Sequence, residues 1–351
     1  MRHRFLASVG ILAVLIVVAS LARVPVAGPT SLASFVGVAE ASGQGTQAPP
    51  VRARTPSAAK KWVPPRTAWG DPDLQGVWSY ATITPLERPG AQAGKEVLSD
   101  EEAAALDKAS SAERRGGNPD ADLAQAYNAH FYDRGKSIGR TSLIVDPPDG
   151  RLPPLTPEGQ KRRAARAEYL AAHPADSWAD RPLRERCIIY HGVPPLPSGY
   201  NNTYQIFQSP GYVAILDENI HDVRGIPLDG RPHVGQNIRQ WNGNSRGRWE
   251  DNTLVVETTN YNPQTTFAFP VAGETLRSVE RFTRVAADKI ELRFTIEDPT
   301  TYTKPWTVEL PMVNLPEYVI YEYACHEGNY ALAHVLKGAR AQEQAAANAA
   351  K

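Results

Sequence analysis

The chain has 351 residues with 38 Lys+Arg and 38 Asp+Glu, so its formal net charge is zero. That length admits one large domain with embellishments or two modest ones, and the charge balance argues against nucleic acid or an anionic membrane as the main partner. With 30 prolines and 26 glycines, a fold of long uninterrupted helices is excluded in favour of short strands joined by shaped loops.

A basic start, Met1-Arg-His-Arg4, runs into an apolar stretch from Phe5 to Ala22, the pattern of an export signal. Ser20-Leu-Ala22 and Ala39-Glu-Ala41 are candidate small-residue cleavage sites; an uncleaved N-terminal anchor is the alternative reading of residues 1–41. The expected location is periplasmic or secreted, with membrane contact only through such an anchor. In that compartment the pair Cys187 and Cys325 favours a disulfide over two buried thiols. Residues 42–68, rich in Gly, Gln, Ala and Pro without apolar periodicity, read as a disordered linker, with order expected from Trp69.

Gly70-Asp-Pro-Asp-Leu-Gln-Gly-Val-Trp78 is a turn-rich lead into a first strand. Ser99 and Glu102 form a capping box that opens a helix from about 100 to 113. Ser142 to Arg151 reads as a short strand ending in a proline-fixed turn. Thr156-Pro157 supplies an N-cap and a proline at the first helical position for a second helix to about Ala172, whose Lys161, Arg162, Arg163 and Arg166 make a basic, solvated face. Beyond Cys187 the apolar pattern changes to period two. Tyr204–Gln208, Tyr212–Leu216 and Leu254–Thr259 carry strand-favouring residues between Gly, Asn and Pro breaks. Leu276–Val285 and Lys289–Glu297 read as a hairpin, with Ile290, Leu292, Phe294 and Ile296 on one face and charged residues on the other. A further strand is expected over Lys304–Leu310, and the Ala/Gln-rich end from about 339 is expected to fray.

Seven to nine short antiparallel strands over 70–320 predict a mainly β fold, a lipocalin-like barrel or closed sheet with a helical insertion at about 98–180. A barrel is favoured because it removes exposed sheet edges, and a single domain is expected over 69–338. Gly76 and Trp78 stand where lipocalin-type barrels carry Gly-x-Trp. The chain also resembles, over roughly 65–340, a large family of exported bacterial proteins. The likeness rests on the Gly70–Trp78 lead, Tyr200-Asn-Asn-Thr-Tyr204, Ile226–His233, Asn244-Ser-Arg-Gly-Arg-Trp-Glu250, Val256–Asn260, Glu280–Val285 and Tyr321-Glu-Tyr-Ala-Cys-His-Glu-Gly-Asn-Tyr330. It implies one shared module and an envelope location, and it implies no mechanism.

The densest stretch in binding groups is Arg239–Asn260, which reads as one wall of a site; Trp249 and Gly247 within it read as architectural. The expected acid/base residues are His221, His326, Glu257 and Glu250, since general acid/base work needs a titrating group near a polar partner that orients it. Tyr200, Asn202, Tyr204, Arg224, His233, Trp241, Arg246, Asn260 and Glu327 are the expected ligand-binding residues, the arginines to fix a carboxylate or oxyanion and the aromatics to stack. The plainer reading of Arg246, Arg248 and Glu250 is a set of ion pairs tying a turn together. No cofactor motif is present. Three histidines with Glu257 or Glu327 offer zinc or another transition ion as an alternative, without the spacing of a strong metal motif. No serine sits in a Gly-x-Ser-x-Gly elbow, which argues against a serine nucleophile. The expectation is a small-molecule-handling barrel, either a metal-independent hydrolase, lyase or isomerase, or a non-catalytic binding or carrier protein.

Overall fold

The computed structural model describes residues 62–115, 132–265 and 272–350, apart from the side chains of 112–115 and of His221. All of them belong to the unit Lys60–Lys351, while the unit Met1–Ala59, with the expected export signal or anchor and most of the linker, lies outside the described residues. The described chain starts seven residues before Trp69 and so takes in the end of the expected linker. There a bridge pairs Arg66 with Pro72, and the Thr67 N–H donates to the Asp71 carbonyl at 2.9 Å.

Among the described residues ten strands form: β1 (Gly76–Ser79), β2 (Ile144–Asp146), β3 (Thr203–Ser209), β4 (Tyr212–Asp217), β5 (Val223–Pro227), β6 (Asn244–Glu250), β7 (Thr253–Thr259), β8 (Arg277–Ala286), β9 (Lys289–Glu297) and β10 (Trp306–Asn314). Nine make an antiparallel, nearly closed barrel-shaped sheet in the order β5-β4-β3-β1-β10-β9-β8-β7-β6, and β2 pairs with β10. With β2 set aside, each neighbour around the barrel is next in chain order, and β1 joins the two ends by pairing with both β3 and β10. This is the expected up-and-down arrangement, and its seam lies between β5 and β6. Gly247 on β6 is what lets the seam draw in: a Cβ there would meet Leu228 Cδ2 at 2.6 Å and Ile226 Cγ2 at 2.8 Å.

Alternation fills the interior. On β9, Ile290, Leu292, Phe294 and Ile296 are at most 1% exposed, while Lys289, Glu291 and Arg293 face solvent. Together with Trp78, Phe282, Trp306, Leu310 and Met312 they form a continuous packed core, whose burial is the main favourable term in folding. Arg284 lies over the Trp78 ring, 5.2 Å from its centroid, and its Nη1 donates to the Asp73 carbonyl at 3.0 Å. The first strand is thereby pinned to the end of β8.

Among the described residues, β2 and two α-helices lie between β1 and β3, in the expected insertion. Helix α1 (Asp100–Arg115) opens on the predicted capping box: Glu102 N–H donates to Ser99 Oγ at 3.2 Å, and Ser99 N–H donates to Glu102 Oε2 at 2.8 Å. Helix α2 (Pro157–Ala172) is capped by Thr156 with Pro157 at its first turn. A third helix, α3 (Ala331–Ala349), takes up the residues expected to fray. Its alanine-rich sequence has high helix propensity, and it buries no residue. Cys187 and Cys325 are bonded, tying the segment before α3 to the body of the chain. Among the described residues, no helix is long and apolar enough to cross a membrane.

Candidate functional site

Toward one end of the barrel the inward positions turn polar. Tyr204 on β3 faces Asp217 on β4 in register, and Arg224 on β5 stands opposite Ile215. Ser245 on β6, Thr258 on β7 and Ser278 on β8 form successive register partners, with Glu280 one inward position deeper. Arg224 donates twice to Glu280, at 2.6 and 3.1 Å. Glu280 is wholly buried, so this pair is enclosed, and such a pair is tolerated only with good geometry and further hydrogen bonds. Burial works against the Arg224 charge, but the Glu280 carboxylate beside it more than offsets this and holds the guanidinium protonated. Tyr261 completes the layer by donating to the Val193 carbonyl at 2.9 Å or to Ser278 Oγ at 2.7 Å.

Beside this layer runs a chain of side chains from the interior outward. Asp217 Oδ1 lies 3.4 Å from the Tyr80 hydroxyl, the hydroxyl 2.7 Å from His191 Nδ1, and His191 Nε2 2.8 Å from Ser198 Oγ. Burial, followed by the charge of Asp217, pushes the Tyr80 hydroxyl well above its ordinary value, and the same causes raise Tyr204. Both hydroxyls therefore stay protonated at any ordinary pH. Their rings meet edge to face at 5.0 Å.

The crossover from β4 to β5 is tight. Asp217 N–H donates to the Asp222 carbonyl at 2.8 Å, and Ile220 is held at φ 59°, a left-handed conformation that costs a β-branched residue about 1–3 kcal/mol. This turn carries Asn219, which is 2% exposed and whose amide Nδ2 and Oδ1 both lack a hydrogen-bond partner. Asn219 lines a recess together with His191, Tyr204, Asp217, Asp222 and Arg224; Asn242, also in the lining, leaves its Oδ1 unpartnered. The recess offers about 10 Å³ to a water-sized sphere, room for about one water. Tyr190 belongs both to its lining and to that of a much larger vestibule of about 1000 Å³. Tyr132, Tyr200, Tyr323, Glu327 and Leu332 line that vestibule, with the Tyr190 and Tyr200 rings 5.8 Å apart and tilted by 31°.

The residues singled out from sequence fall into several places. Tyr204 and Arg224 line the recess, and Tyr200 and Glu327 line the vestibule. Asn202 is buried and holds a loop by donating to the Asp133 and Ser198 carbonyls, each at 3.0 Å. Asn260, at φ 60°, is likewise a loop organiser, donating to the carbonyls of Gly235 and Ile238 at 2.9 and 3.1 Å. Trp241 is half-buried beside it, its carbonyl accepting from Thr265 Oγ1 at 2.9 Å.

Glu250, Glu257 and Arg246 alternate with the inward residues of β6 and β7 and so face outward. Arg281 and then Arg248 hold the Glu250 carboxyl below its ordinary value, and Arg277 does the same for Glu257. Arg246 donates to the Pro232 carbonyl at 3.0 Å, and His233 Nε2 stands 3.6 Å from Glu257. His326 is exposed on the segment before α3. His221 closes the turn after Asn219, and its side chain lies outside the described residues. The structure thus does not bring Glu250, Glu257 and His326 to one cavity; Arg248 and Glu250 form an ion pair at 2.6 Å, as the plainer reading has it, whereas Arg246 donates to the carbonyls of Pro232 and Ser245. Among the described residues, no group of three or more His, Cys, Asp and Glu side chains is placed to hold a metal ion.

Sequence reasoning missed His191, Tyr80, Asp217, Asn219, Ser198 and Glu280. His191 lies in a proline-rich loop with no periodicity. Tyr80 follows directly on the end of β1, and Asp217 and Glu280 sit at strand positions where alternation marks the inward face without distinguishing a buried charge from a surface one. No family model, no curated protein and no solved structure matches this chain.

Proposed function

We propose that this is an exported, small-molecule-handling barrel protein whose mouth binds a small polar molecule rich in hydrogen-bond donors, such as a polyol or a small amine. The observation that carries this reading is Asn219. A buried amide left without partners costs about 1–3 kcal/mol per polar group, and native proteins leave such groups for an ordered water, an ion or a ligand. The charge of the recess supports the ligand class. Arg224 is committed to Glu280, and the Asp217 carboxylate stands in the lining beside Asn219, which favours hydroxyl or ammonium donors over anions. The recess admits one such head group, and the tyrosines of the vestibule suit the flat or apolar remainder. The apolar half of the barrel is filled by its own side chains, which argues against a lipophilic cargo. Export is supported by the basic-then-apolar start of the sequence and by the Cys187–Cys325 bond. Binding is favoured over acid/base catalysis by Glu250, Glu257 and His326, since these three share no cavity.

The test is native mass spectrometry of the gently purified full chain, followed by calorimetric titration with polyols and small amines. We expect a member of the panel to bind, and Asn219→Leu or Asp217→Asn to weaken it by about tenfold or more, the loss of about 1.4 kcal/mol. The absence of both a retained species and heat from every probe, or equal binding by both variants and the native chain, sinks the assignment.

A further inference from the structure

We propose that Ser198 is a nucleophile activated by His191, and that the protein hydrolyses small carboxylic esters seated in the groove beside Ser198. The reading shares His191 and Asp217 with the lining of the recess but rests on their contacts with Tyr80 and Ser198, and its test at Ser198 is separate from the ligand titration.

A catalytic serine is recognised by geometry and roles, and the same constellation recurs in unrelated folds and chain orders. Three requirements are met. The base is in place: His191 Nε2 is 2.8 Å from Ser198 Oγ, within the reach a nucleophile and its base need. The base is oriented: Nδ1 lies 2.7 Å from the Tyr80 hydroxyl, which lies 3.4 Å from Asp217 Oδ1. With the proton on Nδ1, the imidazole donates to Tyr80, Tyr80 donates to Asp217, and Nε2 is left as an acceptor. Any imidazolium formed during reaction then faces the Asp217 carboxylate, 3.7 Å from Nδ1. The nucleophile is fixed: Asn202 accepts from the Ser198 N–H at 2.7 Å and donates to the Ser198 carbonyl at 3.0 Å, so a buried side chain clamps both backbone groups of the serine.

Burial divides the relay as such chemistry requires. The His191 side chain is 1% exposed, whereas Ser198 is partly open and lines a groove of about 620 Å³ with Ile83, Leu106 and Ala109. Those three supply an apolar seat for a short acyl chain. In the resting chain Oγ also lies 3.0 Å from the Tyr200 carbonyl, a second acceptor for its proton, and 3.4 Å from the Tyr200 N–H, which donates to it.

The reaction balances with water as the only co-reactant. Ser198 Oγ attacks the ester carbonyl carbon as its proton passes to His191 Nε2, and the carbonyl π pair moves to oxygen. Collapse of the tetrahedral intermediate breaks the C–O bond to the alcohol, which leaves with the proton from Nε2. A water then gives a proton to Nε2 and attacks the acyl-serine. The carboxylic acid departs, and Ser198 recovers its proton.

The experiment treats the native full chain with a fluorophosphonate probe and maps the adduct by peptide mass spectrometry, alongside turnover of p-nitrophenyl butyrate. We expect the adduct on Ser198, with label and turnover lost in Ser198→Ala. Tyr80→Phe, which keeps the ring and breaks the relay, is expected to slow turnover by about a hundredfold or more with KM little changed. Circular dichroism of each variant checks folding, and the adduct map on the native chain decides the matter should a variant fail to fold. A native chain with no adduct at Ser198, or turnover that persists in a folded Ser198→Ala variant, overturns the proposal.

Discussion

Arg224 reaches from β5 across the barrel seam to Glu280 on β8, with β6 and β7 between them in the sheet. Hydrogen bonding between strands stops at the seam, so this pair is one of the ties that hold the two edges at a fixed distance. Removing one partner leaves a buried charge uncompensated, a loss of about 3–5 kcal/mol, while replacing both with apolar side chains is often neutral. Urea denaturation is therefore expected to show a large drop in midpoint for Arg224→Met and for Glu280→Leu separately, and recovery in the double variant. A double variant as unstable as the worse single one would show that the pair is not coupled.

The outer face of β6 to β9 carries a ladder of ion pairs in which Arg277 contacts Glu257 and Glu297, each at 2.6 Å, and Arg281 contacts Glu250 at 2.6 Å. The folded chain holds both Glu250 and Glu257 below their ordinary value of 4.5. Each carboxylate is thus more acidic folded than unfolded, so its contribution to stability is complete above about pH 4.5 and disappears as pH falls through the lower folded value. Because the ladder is solvent-facing, the Glu257 contribution is at most about 1 kcal/mol and shrinks with salt. Stability measured from pH 7 down to pH 3 should fall, and Arg277→Gln should flatten that fall. An unchanged acid limb in the variant would remove the ladder as its cause.

Much of the barrel was legible because a strand's side chains alternate. Ile290, Leu292, Phe294 and Ile296 name their face without further information, and Ser99, Glu102 and Thr156 name the helix starts through hydrogen bonds local in sequence. The site was less legible for the same reason. Arg246, Arg248 and Glu250 alternate with Ser245, Gly247 and Trp249, and a dense row of charges reads as a site until the tryptophan and glycine between them are known to face inward. In β7, Leu254, Val255 and Val256 are apolar on both faces, so alternation alone could not decide where Glu257 points. The polar layer joins Tyr80, His191, Asp217 and Glu280, which are tens to hundreds of residues apart and meet only through barrel closure. Beyond residue 339, where fraying was expected, the alanine-rich end continues α3 as its helix propensity allows, without burying a residue.

The bond between Cys187 and Cys325 joins residues 138 apart, and α3 beyond it has no buried residue of its own. The bridge therefore carries much of what keeps the segment before α3, which lines the vestibule, against the body. On the chain-entropy account such a loop contributes about 5 kcal/mol as an upper value. Reduction, or Cys325→Ser, is expected to lower the urea midpoint and to open residues 319–330 to limited proteolysis before the barrel is cut. If reduced protein keeps the same cleavage pattern, contacts other than the disulfide hold that segment.

Asn219 allows stability and function to be pulled in opposite directions. Its side chain is almost fully buried, and neither amide atom is satisfied by the protein, so an isosteric apolar replacement removes two desolvation penalties while keeping the volume. Replacing unpaired buried polar groups in this way is neutral to stabilising, and a gain of about 1 kcal/mol is expected for Asn219→Leu in urea denaturation. If the amide is retained for a ligand, the same variant must bind that ligand worse, since stabilising changes at such positions tend to lose function. The two measurements separate the alternatives. A variant that is more stable and binds less marks Asn219 as a ligand-binding group at the barrel mouth. A variant that is clearly less stable means that ordered water already satisfies the amide, and that Asn219 belongs to the scaffold of the β4–β5 crossover.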